Sequence, residues 1–160
     1  SDPPAVLLYN IPQVSGITIT ASLAGRLAND HPEVVKGLKD STGDLESLRG
    51  FLGAMPGTAV FAGTELLLVP GLAEGAVGTI SAAANINARQ IRAAFQSRDE
   101  ADVEVLRETR TVLAAEATIP ALKAIVARQQ EDPAWTTVRP PLRSLPPEVG
   151  AALTAGLPVA

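Results

Sequence analysis

Four short apolar runs, each followed by a stretch of helical periodicity, recur along the first half of this chain at roughly 25-residue intervals, and that rhythm constrains the fold more than any other feature. The runs are AVLLY at residues 5–9, VVKGLK at 34–39, TAVFA at 58–62 and AVGTI at 76–80. Helical spacing follows the first three, at 21–29 after a loop, at 44–54 and at 65–74, where Pro70 predicts a kink or a restart. Thr20 and Asp44 are placed to cap the first two helices. Strands that alternate with helices build βα units, and βα units build a parallel sheet. Four such strands form part of a doubly wound sheet or half of an eight-stranded barrel. No GxGxxG follows a strand and no GxxxxGK[ST] occurs, so a nucleotide-binding sheet has no support.

After a small-residue loop at 81–87 the pattern is wholly helical, with helices expected at 88–97, 100–117, 120–130 and 147–155. Val103, Leu106, Arg110 and Leu113 mark one stripe of the longest, and Glu104, Arg107 and Glu108 decorate its solvated flank. The proline-rich segment at 138–147, next to Trp135, reads as an extended strap, with a PxxP-type ligand as the alternative. The expected division is therefore a set of four βα units over residues 1–97 and a helical extension over 98–160. The chain opens on Ser1, and Pro3-Pro4 leads almost at once into a strand, as in a fragment or processed product.

Composition narrows the chemistry. With aromatic residues at 3%, the core has to be built from Ala, Val, Leu and Ile. A net charge of −4 and no basic run speak against nucleic acid as a partner. The absence of cysteine removes disulfides, thiolate metal sites and cysteine nucleophiles. A lone His31 cannot build a histidine metal cluster or a Ser-His-Asp triad within the chain. No leader peptide and no bilayer-length apolar run is evident, so the expected address is the cytoplasm, away from membranes.

The chemistry concentrates in VVKGLKDSTGD at 34–44. Strand alternation places Val35, Gly37 and Lys39 on one face and Val34, Lys36 and Leu38 on the other. If the first face looks into a barrel, Lys39 stands at the carboxyl end of its strand, where barrel enzymes place their chemistry. A partly desolvated amine there can attack a carbonyl and form a Schiff base; the alternative is a strand-end lysine reaching for water.

Five motifs in order, YNIP at 9–12, GLKDSTGD at 37–44, Gly63 after a strand, GTISAAANI at 78–86 and VRPPL at 138–142, resemble the dihydrodipicolinate synthase / N-acetylneuraminate lyase superfamily. The resemblance implies a (β/α)8 TIM barrel of the class I, pyruvate-dependent aldolase type, of which this chain is the C-terminal half, strands five to eight with extra C-terminal helices. It implies that Lys39 is the Schiff-base lysine, that Tyr9 shuttles protons, and that Gly63 and Ile80 line a pyruvate pocket, Ile80 through its carbonyl. The alternative for Tyr9 is a core aromatic with a satisfied hydroxyl. Ser41 and Thr42 either bind substrate oxygens, as a polar group two residues past the lysine does in the lyase branch, or shape the turn before the Asp44 cap.

The resemblance implies no metal and no dissociable cofactor. Pyruvate or another 2-keto acid is the implied substrate, a dimer or tetramer the implied assembly, and an N-terminal half-barrel the implied complement. That complement would carry the Gly-Thr-Thr/Ser-Gly-Glu segment that holds the pyruvate carboxylate, which is absent from these residues, so the chain alone is expected to be inactive. Val14 stands where the synthase branch has a carboxylate-gripping arginine. Glu65 is the single acid where the sialic acid lyases have a pair, and Ala82 stands where they have a serine. These departures favour aldol chemistry on a simpler 2-keto-3-deoxy sugar acid. Dihydrodipicolinate synthesis, a hydratase-aldolase reaction, or a half-barrel without activity are the alternatives.

Overall fold

The computed structural model describes residues 3–158, so Ser1 and Asp2 of the opening segment lie outside it. Among these residues four parallel strands form one sheet in the order β1-β2-β3-β4: β1 (Val6–Asn10), β2 (Val35–Asp40), β3 (Ala59–Ala62) and β4 (Gly78–Thr79). Each helix between them returns the chain to the same end of the sheet, as the βα rhythm requires. A short α1 (Pro12–Ser15), closed by Gly16 in the left-handed region, precedes α2 (Ala21–Asp30). Next come α3 (Leu45–Ala54) and α4 (Leu68–Ala73). Thr20 and Asp44 cap α2 and α3 as expected, their side chains accepting from the amides of Leu23 and Glu46. Pro70 restarts the third connection. A 3₁₀ turn over Glu65–Leu67 gives way to α4, and the missing proline N–H falls in the first turn of α4, where it breaks no bond.

The chain packs as two compact units, one ending at Ser81 and the other starting at Ala82. In the first, one face of the sheet is covered by helices. Leu38, Val60 and Ala62 of the strands pack with Ala24, Leu48, Phe51 and Met55 in a core with little aromatic content. The other face is open, with Leu7 and Tyr9 about half exposed. Strict alternation fails at one place: the register slips between Val6 and Leu7, leaving Lys36 as an extra residue on β2. Val35 consequently joins the helix-covered core with Leu38 and does not share the Lys39 face.

The second unit holds α5 (Ala84–Ser97), α6 (Glu100–Leu113), α7 (Thr118–Gln129) and α8 (Pro147–Ala155). Its core gathers Ala83, Leu113, Ala121, Leu122, Ile125 and Leu153. The expected loop at 81–87 is in part helical, since α5 starts at Ala84 and is interrupted only at Asn87. Of the stripe read on α6, Val103, Leu106 and Leu113 are buried, Arg110 is half-buried and buried Thr109 joins them, while Arg107 pairs on the surface with Glu104. Trp135 sits in a 3₁₀ turn, Pro133–Thr136, with the Lys123 ammonium 5.3 Å from its ring centroid.

Close packing of β2 on β3 depends on a missing side chain. A Cβ on Gly37 would lie 2.0 Å from the Ala59 carbonyl oxygen. Gly37→Ala is expected to destabilise the chain by about 1–3 kcal/mol, the range for overpacking a well-filled site. Gly53→Ala on α3, where a Cβ meets nothing within 4 Å, is expected to stabilise it by about 0.5–1 kcal/mol. Denaturant midpoints for the two variants move in opposite directions if this packing is correct.

Candidate active site at the carboxyl end of the sheet

In a parallel sheet, laterally paired residues share a face, so register decides what Lys39 meets. Tyr9 pairs with Lys39, and Lys39 with Phe61. All three point to the open face, one row before the strands end. There the Lys39 Nζ donates to the Tyr9 hydroxyl at 3.1 Å and stands 4.3 Å from the ring centroid.

The last row is held from the opposite side. Asn10 pairs with Asp40, and parity turns both side chains toward the helices, where they are 1% and 3% exposed. The Asn10 amide donates to Asp40 Oδ1 at 2.8 Å, and the Thr42 hydroxyl donates to Asp40 Oδ2 at 2.8 Å. The Ile19 amide donates in turn to Asn10 Oδ1 at 3.1 Å. Backbone bonds extend the lock, from Ser41 N to the Asn10 carbonyl at 2.8 Å and from Gly63 N to the Asp40 carbonyl at 2.7 Å. Two polar side chains between buried Leu38 and the loops thereby fix the ends of three strands.

Ser41 follows directly. The Gln13 side chain donates to its carbonyl at 2.6 Å, and its hydroxyl helps to lower the titration of the Tyr9 phenol. Ser41 also lies against Gly63 so closely that a Cβ there would sit 2.2 Å from Ser41 Oγ and 2.6 Å from its Cα. Ile80 directly follows β4, its N–H donating to the Ala62 carbonyl at 2.9 Å, and its side chain is exposed on the same unit. The structure thus joins Tyr9, Lys39, Ser41 and Gly63 through direct contacts and ties Ile80 to them through the β3–β4 ladder. Thr42 shapes the turn, accepting from the Asp44 amide at 3.3 Å. Asn85, in the first turn of α5, donates to the Ala82 carbonyl, and His31 is an exposed cap at the end of α2.

Opposing influences act on the phenol. Partial burial pushes Tyr9 up, but the influence of the Ser41 hydroxyl, then the hydrogen bond from Lys39 and the Lys39 charge, outweigh it, and the phenol titrates below its ordinary value of 10.0. Glu65, in contrast, is fully buried, and the Ser81 hydroxyl donates to its carboxylate. It is therefore part of the scaffold below the open face and not an acid presented at the surface. Asn10, Asp40 and Gln13 are the residues that motif reading passed over. The available signal was parity: Asp40 shares the buried side of β2 with Leu38, and a polar group there must find partners.

Comparison with known proteins places the fold. The dihydrodipicolinate synthetase family profile matches residues 1–155. The chain belongs to the dihydrodipicolinate synthetase family. An uncharacterized DapA-like lyase of Chloroflexus aurantiacus is 36% identical over 155 residues, which are 94% of this chain and 52% of that protein. Dihydrodipicolinate synthase from Agrobacterium tumefaciens superposes with a TM-score of 0.87 at 29% identity, over 98% of this chain and 54% of the other. A prophage protein of the dihydrodipicolinic acid synthase family from E. coli K12, solved in complex with pyruvate, shares the fold. Its TM-score is 0.79 at 24% identity, covering 94% of this chain and 54% of that one. The chain therefore spans about half the length of these relatives, and its α/β fold matches theirs over that half. No described helix is long and apolar enough to cross a membrane.

Tyr9 is the single tyrosine of the chain, so phenolate ultraviolet absorbance reports on it alone. Its titration midpoint is expected below 10.0 and should rise in both Ser41→Ala and Lys39→Met, since each variant removes a group that lowers it. A midpoint indifferent to both substitutions would contradict the hydrogen-bonded arrangement.

Proposed function

We propose that this family member is a carbon–carbon lyase that works through a Schiff base on Lys39, acting on pyruvate and a 2-keto acid in aldol cleavage or condensation. The observation that carries the reading is the 3.1 Å contact between the Lys39 amine and the Tyr9 phenol at the carboxyl ends of adjacent parallel strands. Pyruvate bound to the E. coli relative supports the substrate class. Lys39 attacks the ketone carbon. The carbinolamine loses water, and the resulting iminium draws the electron pair of the breaking carbon–carbon bond into an enamine. In the reverse direction the enamine adds to an aldehyde. Tyr9 hands protons to and from the carbinolamine oxygen, and the Ser41 hydroxyl, which helps to hold that phenol's titration low, continues the relay toward substrate. Gly63 and the Ile80 carbonyl form the wall next to this pair.

In this reading the four strands are strands five to eight of a (β/α)8 barrel. Residues 1–97 supply its C-terminal βα units and 98–160 the helical extension. The open face with Leu7 and Tyr9 fits such a position, since in a closed barrel it would look inward. The carboxylate of pyruvate is then held by the other half, and the 160 residues alone do not turn over. Val14 and the buried state of Glu65 favour a simple 2-keto-3-deoxy sugar acid. Dihydrodipicolinate synthesis, the activity named for the Agrobacterium relative, is the second reading.

In the complete barrel, borohydride in the presence of pyruvate is expected to fix one adduct on Lys39, and Lys39→Met to abolish it. Tyr9→Phe should lower turnover by about 10²–10⁴-fold, the span of general acid–base contributions, while the adduct still forms. Adduct on another lysine would overturn the assignment. Efficient labelling and turnover by the 160 residues alone would overturn the division of the site between halves.

A further inference from the structure

Ser41 is held from two sides. Its N–H continues the β1–β2 ladder, donating to the Asn10 carbonyl at 2.8 Å. Its own carbonyl lies past that ladder, and among the described residues no backbone N–H reaches it. The Gln13 Nε2 does, at 2.6 Å, from a residue 28 positions earlier. The peptide groups on both sides of the Ser41 Cα are thus fixed, one by main chain and one by a side chain. Only χ1 remains, and Gly63 limits it, because the Ser41 Oγ fills the space where a Gly63 side chain would begin.

Gln13 reaches across from a platform that holds itself together. It is the second residue of α1, a single turn that starts at Pro12 and closes on Gly16, whose N–H returns to the Pro12 carbonyl at 2.9 Å. The Ser15 hydroxyl donates to the Ile11 carbonyl at 3.0 Å and accepts from the Ile17 amide at 3.2 Å. Behind the turn, the Ile19 amide is anchored on buried Asn10. Among the described residues the Gln13–Ser41 bond is the one side-chain hydrogen bond from this loop to the loop after β2. It is exposed, so water competes for both partners and the bond adds little to folding. Its effect lies in placement. Of the groups that hold the Tyr9 phenol below its ordinary value, the Ser41 hydroxyl acts most strongly, ahead of Lys39. Hydrogen-bonding influence falls steeply with distance and angle, so a Ser41 free to turn would lose much of it.

We infer that Gln13 is a positioning residue of the Lys39 site: by holding the Ser41 carbonyl it sets where the Ser41 hydroxyl stands beside the Tyr9 phenol. Gln13 acts on the phenol through Ser41 alone and touches no reacting atom. The consequence for turnover rests on the lyase reading; the placement of Ser41 does not. Methionine fills a similar volume at this position without a donor, and asparagine is one methylene short of the carbonyl. Phenolate absorbance of the 160-residue chain reads the placement. Gln13→Met is expected to raise the Tyr9 midpoint in the direction of Ser41→Ala, but by less, since the hydroxyl is loosened and not removed. Gln13→Asn should do the same. In a Ser41→Ala background Gln13→Met should leave the midpoint in place, because the group it positions has gone. The backbone carbonyl at 41 survives that substitution, so any contribution of the Gln13 bond to folding persists, and denaturant midpoints should fall equally in the two backgrounds. A purely structural role would move stability alone. An unmoved Tyr9 midpoint in folded Gln13→Met, or the same rise with and without the Ser41 hydroxyl, would overturn the inference. In the complete barrel Gln13→Met should lower kcat about two- to tenfold, the equivalent of one neutral hydrogen bond, with pyruvate-dependent borohydride labelling of Lys39 retained. Unchanged turnover would also overturn it. Absence of the Lys39 adduct in the unsubstituted barrel would instead overturn the lyase reading, and the Tyr9 midpoints would still decide the part played by Gln13.

Discussion

The hydrogen bond between Asn10 and Asp40 is the contact on which the arrangement at the carboxyl end of the sheet depends. A buried polar pair tolerates no substitute from solvent, so a register that separated the two would leave both unsatisfied. Parallel strands held only by backbone bonds and apolar side chains can slide by two residues and keep the same faces buried. Such a slide would bring Lys39 opposite Leu7 in place of Tyr9. The Asn10–Asp40 pair makes it expensive, and the Asp40 carbonyl passes the constraint to β3 through Gly63. Residues on the hidden side of the sheet thus determine which side chains meet on the open side.

Much of this was legible before any coordinates. The βα rhythm was carried by redundant signals, with apolar runs, glycine and proline punctuation, and caps at Thr20 and Asp44 all agreeing. Tyr9 and Lys39 were legible because period-two alternation and short motifs pointed to the same residues. What escaped reading was decided by tertiary context. The bulge at Lys36, which moves Val35 into the core, leaves no mark in a run that is apolar on both sides of it. β4 is two residues long where five were expected. It pairs only with β3 among the described residues, and ladder bonds from Val77 and Ile80 continue beyond the span that qualifies as strand. The Ala-rich stretch after Ser81 carried small-residue loop character and helix propensity at once, and packing of Ala83 into the second core sided with the helix.

The two sides of the sheet also differ in how their polar groups are solvated. Asp40 and Glu65 sit in surroundings that supply fixed partners, so their charges and dipoles serve geometry. Lys39 and Tyr9 sit where water still reaches, and the phenol responds to its neighbours by titrating low. Electrostatic interactions between that pair strengthen as water is excluded, since the effective dielectric falls. Whatever covers the open face therefore sets how strongly amine and phenol act on each other, while the register that brings them together is already built into this chain.

Gly63 has an implication for how such a site can vary. The space that a side chain would occupy there is filled by backbone of Ser41 and Asp40, so no substitution can reach toward a bound molecule from that position. New side-chain chemistry there has to be written in a neighbour such as Thr64. Gly63 contributes shape and no side chain, so any chemical variety at this end of the sheet has to come from around it.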